Sequence, residues 1–237
     1  MARRSAAVLA LCCGLASLLL LSAVSSAPAA VWNPTGPLTQ FSASSTLNCS
    51  VFHSAAGENS SAFAYQHRDG PYACGTFLYD GTKLYGPALG EGFPTRSTFQ
   101  SLGAQVTAGS GTLNDPYTIT TRVRTDSTEG LRIDQVDSYV EGQESVRTDI
   151  TVRNLGSGVA SATLWHAGDC FQARDGGGST GAGGAVACTG PAGGSPLETV
   201  EFFPVSTGSA YIEALYSGVW SAIGARQPLP NTCGCIV

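Results

Sequence analysis

Charge is scarce in this chain. Lysine and arginine together number 12, aspartate and glutamate 17, and charged side chains make up 12% of the 237 residues, about half the share usual in soluble proteins. Lys83 is the single lysine. An acidic balance with so little positive charge speaks against nucleic acid or an anionic membrane as partner, because both require clustered cations. The polar surface must instead come from Ser, Thr, Gly and Gln.

Helical periodicity is nearly missing too. Only Tyr216 to Ala225 has the spacing for a turn or two of helix, with Val219, Trp220 and Ile223 on one side. Catalytic signatures are equally thin. The three histidines are His53, His67 and His166. No Gly-x-Ser-x-Gly elbow accompanies any serine, and no two histidines stand at the short spacing of a zinc site. His53 and His67 are expected to be strand-end histidines with local hydrogen bonds.

One long apolar run is present, Ala7 to Leu21. Arg3 and Arg4 precede it, and small residues follow at Ser25-Ser26-Ala27 and Ala27-Pro28-Ala29. That order predicts a cleaved secretory signal over residues 1–29 and a single secreted domain over 30–237. No membrane anchor is expected in the mature chain. Cys235 stands one place too late for prenylation, and Cys12 and Cys13 sit at the front of the apolar run. Six cysteines follow the signal: Cys49, Cys74, Cys170, Cys188, Cys233 and Cys235. An even number in an exported chain predicts disulfides, with 15 possible connectivities. Proximity favours Cys49–Cys74 and Cys170–Cys188, leaving Cys233 with Cys235.

Period-two alternation is clearest from Tyr117 to His166. It predicts strands from Tyr117, over Leu131 to Tyr139, around Val146 to Arg153, and over Val159 to His166. Short turns between them predict a four-stranded antiparallel meander. Val136 falls out of phase with Leu131 and Ile133, which predicts a bulge near Gln135. Further strands are expected over Thr46–His53, Ala62–His67, Tyr72–Tyr79, Thr98–Val106, Leu197–Val205 and Ala210–Tyr216. So many strands with at most one short helix predict an all-β fold, an antiparallel two-sheet β-sandwich. Gly86 to Arg96 should cover one end of it. The glycine-rich Asp175 to Ser195 should be a surface loop pinned at its base by Cys170 and Cys188.

Several phrases occur together: Gly109-Ser-Gly-Thr-Leu-Asn-Asp-Pro-Tyr117, Tyr139-Val-Glu-Gly142, Ala167-Gly-Asp-Cys-Phe171, Tyr216-Ser-Gly-Val-Trp220 and Asn231-Thr-Cys-Gly-Cys235. They resemble an uncharacterised group of bacterial secreted β-sandwich modules. The resemblance runs from about Leu84 to Cys235. It implies the fold and an extracellular place, and it carries no chemistry.

The candidate sites are few. Asp169 and Asp175, with loop carbonyls, have the oxygen chemistry of a calcium site. Trp165, Tyr211 and Trp220 are candidate platforms for sugar rings, with Tyr216 and Tyr139 also available. Glu198 and Glu201, or Glu213, offer carboxylates for a glycosidase pair. Asn48-Cys49-Ser50 and Asn59-Ser60-Ser61 fit the N-glycosylation pattern. The expectation is a secreted non-catalytic extracellular module whose ligand is a glycan or cell-surface polymer. The alternatives are a sugar-processing enzyme (hydrolase or epimerase) with its site near His166 to Asp175, and a purely structural surface protein.

Overall fold

A computed structural model describes residues 28–53, 74–90, 92–126, 129–168, 177–180, 184–190 and 198–233. The signal up to residue 27, the expected strand Ala62–His67, Asn59, and the candidates Asp169, Asp175, Cys170 and Cys235 lie outside them.

Among the described residues the fold is all-β with one helix, built on two packed sheets. The first sheet runs antiparallel through β1 (Ala30–Trp32), β2 (Leu38–Ala43), β3 (Asn48–His53) and β4 (Cys74–Tyr79). Next come β5 (Leu84–Gly86), paired with β4, and β6 (Ser97–Thr98), parallel to β5. The second sheet holds β7 (Gln100–Ser101), β8 (Val106–Ala108), β9 (Tyr117–Arg124), β10 (Leu131–Tyr139) and β11 (Val146–Asn154). The expected strand Thr98–Val106 is therefore divided between the sheets. The chain crosses from one to the other at Phe99, whose ring is buried between them and stacks 6.0 Å from Tyr85.

Two clusters fill the space between the sheets. One joins Trp32, Leu38 and Phe41 to Ile119 and Tyr139; the other joins Leu47, Leu78 and Tyr85 to Val123, Leu131 and Ile133. Each large apolar side chain so buried contributes about 1.5–3 kcal/mol. The disulfide Cys49–Cys74, expected from proximity, ties β3 to β4 at a register pair. Cys188 and Cys233 are disulfide-bonded as well.

Four expectations are corrected. First, β10 has no bulge: its pairing with both neighbours is continuous, and Leu131, Ile133, Gln135, Asp137 and Tyr139 all point into the core. The strand stays in phase because Gln135 and Asp137 find polar partners inside. Second, the meander stops at three strands. β12 (Thr163–Gly168) leaves the second sheet and pairs along the whole length of β4 in the first. It occupies one edge of β4, so β3 and β5 share opposite ends of the other.

Third, the glycine-rich stretch is not simply a loop. β13 (Gly177–Thr180) and β14 (Val186–Gly190) form a three-stranded sheet with β15 (Glu198–Phe202). Fourth, the stretch from Gly86 to Arg96 meets the end of the sheet only at Ala88 and Leu89, beside the β2–β3 turn, and residues 92–94 lie on the outer face of the first sheet. Phe93 packs 5.2 Å from Phe77, and Arg96 donates to the carbonyls of Pro87, Leu89 and Pro94 at 2.6, 3.0 and 3.1 Å. Gly86 is needed there, since a Cβ would sit 2.6 Å from the Phe77 ring.

The helix α1 (Tyr216–Gly224) forms where the periodicity put it and packs on the same outer face. Trp220 and Ile223 join Phe77, Leu84 and Trp165 in a third apolar cluster. A two-stranded parallel sheet, β16 (Ile212–Glu213) with β17 (Thr232–Cys233), flanks the helix in sequence.

Candidate functional site

The third cluster decides the fate of the aromatic candidates. Trp165 lies opposite Phe77 in register, beneath α1, and Trp220 comes down from the helix onto the same ring. Each is 4% exposed, so neither presents an open ring face to a ligand. Tyr139 is buried between the sheets. Tyr211 is half-buried, its backbone held reciprocally by Asn231: Tyr211 N donates to Asn231 Oδ1, and Asn231 N donates to the Tyr211 carbonyl, both at 3.0 Å.

Tyr216 is different. It opens α1 with 57% of its surface exposed, and its place four residues before Trp220 puts both rings on one side of the helix. An open groove of about 400 Å3 runs beside it, lined by Gly92, Pro94, Tyr216, Ser217, Trp220, Ser221 and Gly224. Gly92 forms part of the floor at a φ of +71°, and a Cβ there would touch both the Tyr216 and Trp220 rings. Ser221 Oγ donates to the Ser217 carbonyl at 2.7 Å, which leaves its lone pairs free to accept from a ligand hydroxyl. The groove thus combines one exposed aromatic face with hydroxyls and a glycine floor. The sequence contains Tyr216 in plain view, but only the docking of residues 86–96 against α1 creates a wall beside it.

The histidine candidate leads into the interior instead. Thr76 Oγ1 donates to Gln135 Oε1 at 2.7 Å and accepts from His166 Nδ1 at 3.0 Å. Gln135 Nε2 donates to both carboxylate oxygens of Asp137, at 3.2 and 3.1 Å, and Thr148 Oγ1 donates to Asp137 Oδ1 at 2.7 Å. A chain of hydrogen bonds therefore links a half-buried histidine to a carboxylate with no exposed surface. Burial pushes Asp137 up to about 6, against the restraint of Thr148 and Gln135. Burial also pushes His166 down to about 4, so its ring is neutral at pH 7 with the proton on Nδ1 and a lone pair on Nε2.

His53 is at a strand end as expected, but its Nε2 meets Glu144 Oε2 at 2.9 Å, 91 residues away. Glu201 is exposed on β15, while Glu213 lies on β16, where burial raises its pKa. They belong to separate sheets. Asn48 is fully buried and its amide donates to the Leu89 carbonyl at 3.0 Å, so the folded chain offers no acceptor at that glycosylation pattern. Among the described residues no three His, Cys, Asp or Glu side chains are grouped to hold a metal ion. No described helix is long and apolar enough to cross a membrane.

Comparison of the chain with family models, with curated proteins and with solved structures gives no match.

Proposed function

We propose that the protein is a secreted extracellular binding module whose ligand is a glycan or cell-surface polymer, held in the groove beside α1. The reading is carried by Tyr216: an exposed aromatic face at an open groove, flanked by the hydroxyls of Ser217 and Ser221. Sugar rings stack their C–H faces on such a ring while serine hydroxyls orient their own. The disulfide Cys49–Cys74 supports an oxidising compartment.

The test is binding of the purified protein to a broad panel of polysaccharides, with calcium and again with chelator. Tyr216→Ala should lose binding and Tyr216→Phe should keep it, since the ring face and not the phenol makes the contact. Loss on chelation would bring Asp169 and Asp175 in as calcium ligands. A panel without a hit, or binding indifferent to Tyr216→Ala, refutes this site.

A second reading, a sugar-processing enzyme centred on His166, is favoured by the hydrogen-bonded chain that sets its tautomer. It requires His166→Ala to abolish turnover of a bound glycan.

A further inference from the structure

The outer face of the second sheet gathers positive charge that the sequence disperses over 32 positions. Alternation sends Arg122 and Arg124 of β9, Arg132 of β10, and Arg147 and Arg153 of β11 to this face. These are five of the chain's 12 lysines and arginines. With Asp134 and Asp149 they leave a charge of +3 on one face of a chain whose net charge is −5.

Register makes the arrangement sharper. Arg124, Arg132 and Arg153 stand directly opposite one another across three strands, and Arg122, Asp134 and Thr151 form the next row. Neighbouring strands lie roughly 4.8 Å apart, and like charges placed opposite each other destabilise a sheet. One carboxylate offsets that repulsion. Asp134 Oδ1 accepts from Arg132 Nε and a terminal Arg132 nitrogen at 2.9 and 2.7 Å, and its Oδ2 accepts from Arg153 Nε at 3.0 Å. Arg122 Nε is 3.5 Å away. Arg122 and Arg153 are thus held by their inner nitrogens, with side chains 49% and 62% exposed. Their terminal nitrogens donate no hydrogen bond among the described residues. Arg124, held by Nε to Gln100 Oε1 at 3.1 Å, is oriented in the same way.

We propose that this face is a second binding surface, for an anionic polysaccharide bearing carboxylate or sulfate groups. Planar guanidinium forks with their outer nitrogens open match those groups bidentately. The strands β9, β10 and β11 put no aromatic ring on this face for the bases of a single strand to stack on, and duplex DNA, which needs none, is the competing polyanion in the test. Val136 on β10 and Val106 on β8, which stands opposite Thr120, are scattered apolar side chains on this face, too few to enter a bilayer. The surface is separate from the Tyr216 groove, which lies on the outer side of the first sheet, and it stands whether or not that groove holds a sugar.

The experiment compares the full chain, the double variant Arg124→Gln/Arg153→Gln and the control Arg226→Gln. Immobilised heparin and polygalacturonate are the probes, with duplex DNA alongside. The wild type should be retained by at least one polysaccharide at low salt, heparin alone indicating sulfate and polygalacturonate alone carboxylate. Its affinity should fall steadily with salt. The double variant should bind at least about tenfold more weakly, with a shallower salt dependence. Its melting temperature should not drop, since a row of like charges has been relieved; a drop would mark the arginines as structural. Failure of the wild type to bind either polysaccharide, equal loss in Arg226→Gln, or binding of DNA as tight as heparin would overturn the proposal.

Discussion

Replacing Asp137 by asparagine should expose a pH dependence of stability that the wild-type chain conceals. Asp137 rises from the ordinary 3.8 to about 6 on folding, and His166 falls from 6.5 to about 4. At pH 5 the unfolded chain holds an aspartate anion and a histidine cation, while the folded chain holds both groups neutral. The number of protons bound by the pair is then the same in either state, and stability changes with pH only where those numbers differ. Taken singly, the groups pull in opposite directions. Asp137 contributes stability that is full below 3.8 and is lost as pH rises to about 6. His166 contributes stability that is full above 6.5 and is lost as pH falls to about 4. Each interval covers somewhat more than two pH units at about 1.4 kcal/mol per unit, or about 3 kcal/mol.

Asparagine keeps the shape and accepts from Gln135 and Thr148 but cannot ionise. Asp137→Asn should therefore gain about 3 kcal/mol on the wild type between pH 4 and pH 7. Urea unfolding of both proteins at several pH values in that range measures it, and carboxylates elsewhere cancel in the difference. His166→Asn should show the mirror image, losing about as much relative to the wild type over the same range. Stability curves of Asp137→Asn and wild type that run parallel from pH 4 to 7 would refute the reasoning.

Trp220→Ala should cost about 3–5 kcal/mol in urea unfolding, because it removes the ring that seats α1 on Phe77 and Phe93. Cys49→Ala/Cys74→Ala opens a link between residues 25 apart and should cost about 3 kcal/mol by the same assay. Asp134→Asn takes away the carboxylate shared by three arginines. It should lower the melting temperature, and more so at low salt, where the uncompensated repulsion is least screened.

Local pattern was a good guide wherever burial followed it. Strict alternation located β9, β10 and β11, and the spacing of Val219, Trp220 and Ile223 located α1. It misled at Gln135 and Asp137, because a polar residue in a core position looks like a change of phase until its partners, Thr76 and Thr148, are known. Those partners come from other strands, and nothing local announces them. The exit of β12 to the first sheet was hidden for a similar reason: the run Thr163–Gly168 suits either sheet, and only the vacant edge of β4 decides. The groove at Tyr216 and the arginine row are likewise products of packing and register. Each assembles residues whose sequence neighbourhoods are unremarked.

That vacant edge has a consequence for how the chain reaches its fold. β4 is complete at Tyr79, yet the strand that covers its second edge begins at Thr163. Throughout synthesis of the intervening residues, one side of a strand deep in the sheet shows unpaired N–H and C=O groups, the template on which other chains aggregate. Pairings so distant in sequence also form late and slowly. The first sheet is therefore complete only on the arrival of residues 163–168, onto which α1 then packs through Trp220 and Ile223. A chain halted before residue 163 would carry most of both sheets and still be the sticky one.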